Sequence, residues 1–270
     1  AELWSPDNPK CYTCRVVFGE DVREESFGIR TITCDSKNGF CINGERVILR
    51  GACIHHDNGI LGAITLPDAE LRKVRLLKQA GYNAIRSAHN PCSKALLDAC
   101  DTLGMLVLDE YADMWYIHKT RYDYASCLPD NWKGDLRDMV DKDYNHPSVV
   151  MYSIGNEVSE TAQPRGIRLT EEMTEYLHQL DNRPVTCGIN IFFNFLSSMG
   201  FGVYSDKKAA QEAAKAERRK GTPAKKKAVG SEFFNNLAGI LGADFMKFGA
   251  TLGGSDRKTR EAFSKLDAAG

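Results

Sequence analysis

The stretch NHPSVVMYSIGNEVSE, residues 145–160, decides how the chain folds. Its centre, Val149-Val150-Met151-Tyr152, is apolar without alternation, the pattern of a strand buried on both faces as in a parallel sheet. Pro147 marks the upstream boundary, because the residue before a proline is pushed out of helical conformation. The strand then delivers an amide and a carboxyl group, Asn156 and Glu157, at its C-terminal end. A carboxyl at the end of an interior strand calls for a chemical reason.

Working outward from that strand, helical and strand patterns alternate. Upstream, DNWKGDLRDMVDKDYNHP (130–147) predicts a helix ending before Pro147, and MLVLDE (105–110) predicts an apolar strand. SKALLDACDTLG (93–104) predicts an amphipathic helix begun by Ser93 and closed by Gly104. NAIRS (83–87) is a strand. PDAELRKVRLLKQAG (67–81) is a helix with Leu71, Val74 and Leu77 on its apolar face, a Thr65-x-x-Asp68 capping box, and Gly81 where it stops. VILRG (47–51) is assigned as the first strand of the series. Downstream, LTEEMTEYLHQL (169–180) is a helix and RPVTCGIN (183–190) a fifth strand.

Strands alternating with helices at this spacing build a parallel sheet, either a closed (β/α)8 barrel or an open doubly wound sheet. No Gly-x-Gly-x-x-Gly follows the first strand and no Gly-Lys-Ser/Thr loop occurs, so nucleotide binding loses its usual support and the barrel is favoured. Residues 1–48 differ. CYTCRVVF (11–18), SFGIRTITCD (26–35) and GFCINGERVIL (39–49) are short strands, and Asn43-Gly44 signals a hairpin. Two or three strands cannot enclose a core alone, so this piece is expected to be the end of a β-sandwich or a lid on the downstream repeat.

The totals exclude several classes of function. In 270 residues, Lys+Arg 35 nearly balances Asp+Glu 36 and 43% of residues are hydrophobic, which describes a globular chain with no overall pull toward nucleic acid or an anionic membrane. No apolar run reaches the ~18 residues of a spanning helix, and AELWSPDNPK has no signal-peptide pattern. Nine cysteines, an odd number scattered through apolar contexts, fit reduced thiols in a cytoplasmic protein better than a disulfide framework. Cys11-x-x-Cys14 lies in a strand pattern, where an odd offset points its two side chains to opposite faces, so no metal and no cofactor is expected. The basic run at 207–227 suits a solvated helix and loop.

Polar residues gather at one place in the repeat. Arg50 and His55-His56-Asp57 follow the first strand, Arg86, His89 and Asn90 the second; Asp109 and Glu110 end the third, Asn156 and Glu157 the fourth. In a barrel these positions converge on the C-terminal mouth, where such enzymes carry their chemistry, although any one of them could instead be a structural ion pair.

RGACIHHDNGILG, IRSAHNP, LVLDEYADMW and NHPSVVMYSIGNEVSE, in that order and on those strands, resemble the catalytic barrel of glycoside hydrolase family 2, which includes β-galactosidases, β-glucuronidases and β-mannosidases. FGIRTIT and GFCINGERVILRG resemble that family's passage from an immunoglobulin-like sandwich into the barrel. The resemblance implies residues 1–48 as the end of the sandwich and 49–270 as the first part of the barrel, with a helical insertion at about 191–270. It implies Glu157 as general acid/base and Asn156 as a hydrogen-bonding partner of the sugar 2-hydroxyl. His55, His89 and Asp109 would line the sugar subsite, with Glu110 and Trp115 near its wall. Physical chemistry points the same way: a glycosidic oxygen leaves poorly unless protonated, and a partly desolvated carboxyl keeps a proton nearer to neutrality. Imidazoles and carboxylates match sugar hydroxyls, and an indole face can stack on a sugar. Some family members bind magnesium through a Glu-x-His after the third strand; the Tyr111-Ala112-Asp113-Met114-Trp115 found here does not carry that site over.

A retaining glycosidase needs a second carboxylate ~5 Å from the first. Glu232 in KKAVGSEFF is the candidate inside the chain, but Ser231 looks like a helix N-cap and Glu232 like a first-turn carboxylate. The expectation is therefore a fragment of a retaining β-glycosidase, most like a β-galactosidase, without its nucleophile and inactive alone. Its partner would be a β-linked carbohydrate. Open sheet edges would lead it to pair with another copy, rearrange, or be covered by residues 191–270. The alternative from a different class is a carbohydrate-binding or interaction module on a barrel rim without turnover.

Overall fold

The computed structural model describes residues 1–120, 122–191, 194 and 256–268. Two antiparallel elements come first. Strands β1 (Cys11–Phe18) and β2 (Asp21–Gly28) form a hairpin, and β3 (Ile32–Asp35), β4 (Gly39–Ile42) and β5 (Glu45–Arg46) form a three-stranded sheet. Asn43 and Gly44 join β4 to β5 with φ of 54° and 82°, the left-handed pair that a two-residue hairpin turn demands.

The series then becomes β6 (Gly51–Ile54), α1 (Pro67–Gln79), β7 (Ala84–Ser87), α2 (Lys94–Leu103), β8 (Leu106–Glu110), α3 (Leu128–Asp143), β9 (Val149–Asn156), α4 (Pro164–Leu180) and β10 (Val185–Gly188). A further helix, α5, spans Asp256–Phe263. The five strands make one sheet in the order β10-β9-β8-β7-β6, parallel throughout the β6 to β9 pairings. Sequential order with a helix in every crossover is how consecutive strands of a (β/α)8 barrel are arranged. Between Val107 and Leu108 the ladder slips: Val107 faces Val149 while Leu108 faces Met151, so β9 holds one extra residue, Val150.

Caps explain both boundaries of α2. Ser93 accepts a bond from the Leu96 amide at 3.2 Å to start α2, and Gly104 ends it in the left-handed region, φ 70°. Two expectations are corrected. α1 begins with Pro67 at its first turn and Leu66 as N-cap, with no side-chain cap, so the Thr65-x-x-Asp68 box does not form; a proline at N1 needs no partner for its missing N–H. The first barrel strand is Gly51–Ile54, not residues 47–51. Val47 still bonds backward to the Phe40 carbonyl, and Val47 and Leu49 pack on the cluster around Trp4, so their apolar character serves that core.

The chain divides into two units. One comprises Ala1–Tyr111, Asp135–Ser153 and Leu177–Thr186. Its core brings Trp4, Ile42, Ala84, Leu106 and Val150 together, so the N-terminal strands pack against the barrel strands. The other comprises Ala112–Gly134, Ile154–Tyr176 and Cys187–Gly270. In it Asn194 bonds both Thr161 and Thr259 at 3.2 Å, and Lys265 pairs with Glu171 at 2.7 Å, which fastens α5 to this unit. The apolar segments 192–204 and 233–248, expected to cover the sheet, lie outside the described residues apart from Asn194, as do the 207–227 run and Glu232. The nine cysteines are not joined in disulfides with one another. No helix among the described residues is long and apolar enough to cross a membrane.

Candidate active site

In the first unit the ends of β7, β8 and β9 build one buried anion. The Glu110 carboxylate accepts from Arg86 Nε (2.8 Å) and Nη2 (3.1 Å), the His89 backbone N–H (2.7 Å) and Ser153 Oγ (2.7 Å). Burial alone pushes this carboxyl up, but the His89 ring, whose Nδ1 lies 3.4 Å away, together with Arg86 and Ser153 outweighs it and brings the pKa down to about 2. His89 reaches Glu110 because its backbone is left-handed, φ 81°, a conformation that costs a non-glycine residue ~1–2 kcal/mol. Charge-assisted hydrogen bonds of ~1.5–3 kcal/mol offset that strain. The His89 ring, about one third exposed, lies 5.0 Å from the exposed His55 ring. His55 and His89, both expected at a sugar subsite, are thus neighbours, and both are accessible.

Asp109 behaves differently. It is buried, accepts from the Cys92 N–H at 2.9 Å, and pairs with Lys142 at 3.0 Å. Lys142 also bonds Asp143. One ammonium between two carboxylates leaves one of them short of a counter-charge, and burial together with Asp109 pushes the Asp143 carboxyl up to about 8. Asp109 is therefore turned to protein partners. Asp109 and Glu110, both expected at the sugar subsite, are buried and bonded to protein partners.

The second unit presents Glu157 and Asn156, both partly exposed. Glu157 has φ 45°, so it too is left-handed; among described non-glycine residues this conformation occurs at Asn43, His89 and Glu157. Strained backbone of this kind concentrates at functional sites. Asn190, two residues beyond β10, donates its Nδ2 to Glu157 Oε1 at 3.0 Å. Asn156 donates its side-chain amide to Asp113 Oδ1 at 2.8 Å. The Lys119 ammonium bonds both that Asp113 oxygen, at 2.8 Å, and the Asn156 backbone carbonyl, at 2.5 Å. Trp115 is fully buried and donates its indole N–H to the Ile154 carbonyl at 2.8 Å, so the expected sugar platform is an interior side chain. Glu160, also buried, accepts the backbone N–H groups of Tyr116 (3.0 Å) and Ile117 (2.9 Å) and so anchors the loop after β8.

Asp98, Asp101 and His146 have ligand atoms within 4.8 Å of one another, a spacing a metal could use. Asp101, however, already accepts from His146 Nδ1 (2.6 Å) and the Ser148 N–H (3.0 Å), which makes the group a fastener between α2 and the approach to β9. A cleft of about 830 Å³ is lined by residues such as Asn43, Arg50, Lys78 and Tyr82; Arg50, expected to follow the first strand, instead precedes β6, and no other expected site residue lines this cleft.

Residues 35–243 match the family described as glycosyl hydrolases family 2, TIM barrel domain. The chain belongs to glycosyl hydrolase family 2. Over 164 residues this family 2 chain is 43% identical to β-galactosidase BoGH2A of Bacteroides ovatus, covering 59% of the chain and 19% of that protein. Over 169 residues it is 36% identical to a putative β-glucuronidase of Formosa agariphila, covering 60% and 16%. The crystal structure of a family 2 member from Bacteroides cellulosilyticus aligns with a TM-score of 0.67 at 48% identity, covering 70% of this chain and 25% of that one. The chain thus spans about a fifth or less of the length of these two curated relatives. For a family 2 barrel, Arg86, Asp113, Lys119, Ser153 and Asn190 join the expected residues through contacts that cross loops. Of these, Arg86 already stands out in the sequence beside the second strand and Asn190 lies two residues past β10, whereas Ser153 is inside β9 and Lys119 is nine residues beyond β8, where no local signal marks them.

Proposed function

We propose that this chain carries the proton-donating part of a retaining β-glycosidase, with Glu157 as general acid/base and a β-galactoside as the substrate class. The observation that carries the reading is the presentation of Glu157: a partly exposed carboxyl on left-handed backbone at the end of β9, with Asn190 on one oxygen and Asn156 beside it. An acid so held can protonate the glycosidic oxygen as the bond to the anomeric carbon breaks, then take a proton from the water that releases the sugar. Asn156 supplies an amide that a sugar hydroxyl can match. The second carboxylate that retention requires is assigned to a strand following β10. The 43% identity to a protein named as a β-galactosidase supports the choice of sugar.

The test is hydrolysis of aryl β-galactosides and aryl β-glucuronides by the full-length protein and by its E157Q variant. The expected result is β-galactoside turnover that E157Q abolishes. Sugar binding with no turnover in the full-length protein would identify a binding module instead.

A further inference from the structure

We propose that Lys119 is a positioning residue for the proton donor, an assignment that rests on reading Glu157 as the general acid/base. The ammonium makes two contacts with different consequences. Its bond to the Asn156 carbonyl, at 2.5 Å, fixes the peptide plane that joins Asn156 to Glu157. Since Glu157 sits in a conformation that non-glycine residues leave readily, φ 45°, the orientation of the preceding peptide governs where its carboxyl looks. The second bond holds Asp113 at 2.8 Å, and the same Asp113 oxygen takes the Asn156 side-chain N–H at 2.8 Å. One cation therefore sets both the backbone and the side-chain amide of the residue that precedes the acid.

The lysine is itself well seated. Its side chain is only 12% exposed, and its backbone N–H donates to Asp123 Oδ2 at 2.7 Å, an oxygen that also takes the Thr120 N–H at 2.8 Å. A lysine serving only solubility would not be anchored at both ends. The contacts also separate it from a catalytic role, because its partners are Asp113 and a main-chain oxygen.

The experiment compares the full-length protein as wild type, K119M, K119R and E157A on phenyl and 2,4-dinitrophenyl β-galactosides. Phenolate leaves only with a proton delivered in time, whereas dinitrophenolate leaves unaided. Mispositioned acid should cost K119M about 100-fold in kcat/KM on the phenyl glycoside and little on the dinitrophenyl glycoside, with K119R recovering most of the loss. A merely structural lysine would lower both substrates equally, and that result overturns the assignment. E157A should show the same leaving-group selectivity and form β-galactosyl azide when azide is added. If E157A behaves so while K119M matches wild type, the role of Lys119 alone falls; if E157A keeps full phenyl glycoside turnover, the acid/base reading falls and this one with it. Independently of turnover, the Asn156 side-chain ¹⁵N–¹H signals should move toward solvent-exposed values in K119M, and unchanged signals would refute the clamp.

Discussion

Arg86 holds Glu110 with two guanidinium nitrogens, Nε at 2.8 Å from one carboxylate oxygen and Nη2 at 3.1 Å from the other. Paired bonds of this kind fix direction as well as charge, so β7 and β8 are locked at their C-terminal ends. Burial opposes the charge, but His89, Arg86 and Ser153 keep Glu110 ionised, with a pKa near 2. Ionised Glu110 therefore adds stability in full above the unfolded value of ~4.3, and the contribution disappears as pH falls through that value toward 2. Urea unfolding should show wild type weakening across this window and E110Q changing less. R86M, which strands a buried carboxylate, should cost about 3–5 kcal/mol at pH 7.

Asp143 titrates in the opposite sense. Its folded pKa is raised to about 8 by burial and by Asp109, so the unfolded chain releases this proton near pH 4 while the folded chain keeps it. Wild type thus loses stability from about pH 4 to 8. D143N should gain on wild type by about 1 kcal/mol per pH unit across that range, measured as the difference in unfolding free energy at pH 5 and pH 8. Equal pH profiles would contradict the pairing of Lys142 with two carboxylates.

Gly166 lies where α4 meets the turn at Glu160. A Cβ built there would collide with the Glu160 carbonyl oxygen, an atom that cannot move without shifting the segment just after Glu157. G166A should therefore lower the thermal midpoint and cost about 1–3 kcal/mol, although alanine normally favours a helix. A neutral result would mean that the helix start is looser than the geometry states.

Trp4 is fully buried among Ile42, Ala84, Leu106 and Val150, and its indole donates to the Asp101 carbonyl at 2.9 Å. W4A should cost about 3–5 kcal/mol. W4F should retain part of that by keeping ring packing while losing the hydrogen bond. Both are checked by chemical denaturation followed through the remaining tryptophans.

The elements legible in the sequence were those whose signals act locally. Ser93 and Gly104 bounded α2, Asn43-Gly44 turned β4 into β5, and the apolar run ending at Asn156 marked β9, because each depends on the conformation of a few consecutive residues. The Thr65-x-x-Asp68 box failed locally, because Pro67 starts the helix, but what the sequence mostly hid are contacts across the chain. Val47 and Leu49 looked like a barrel strand because apolar character does not say which core a residue enters, and Trp4 decided it. Asp109, Glu110 and Trp115 lie where sugar-lining residues were expected, yet Lys142, Arg86 and the Ile154 carbonyl engage them instead. Lys119 was invisible for the same reason: its partner carbonyl is 37 residues away, and no spacing rule connects them.

The extra residue in β9 separates the strand into two pieces with independent phase. Val149 and Met151 face adjacent partners on β8, so losing Val150 would leave Ser153 opposite Glu110. Losing Ile154 or Gly155 would instead turn Asn156 and Glu157 over to the reverse side of the strand, since side chains alternate with every residue. The lower piece is held by the packing of Val150 in the Trp4 core, while the upper piece works as a gauge that tolerates no one-residue error.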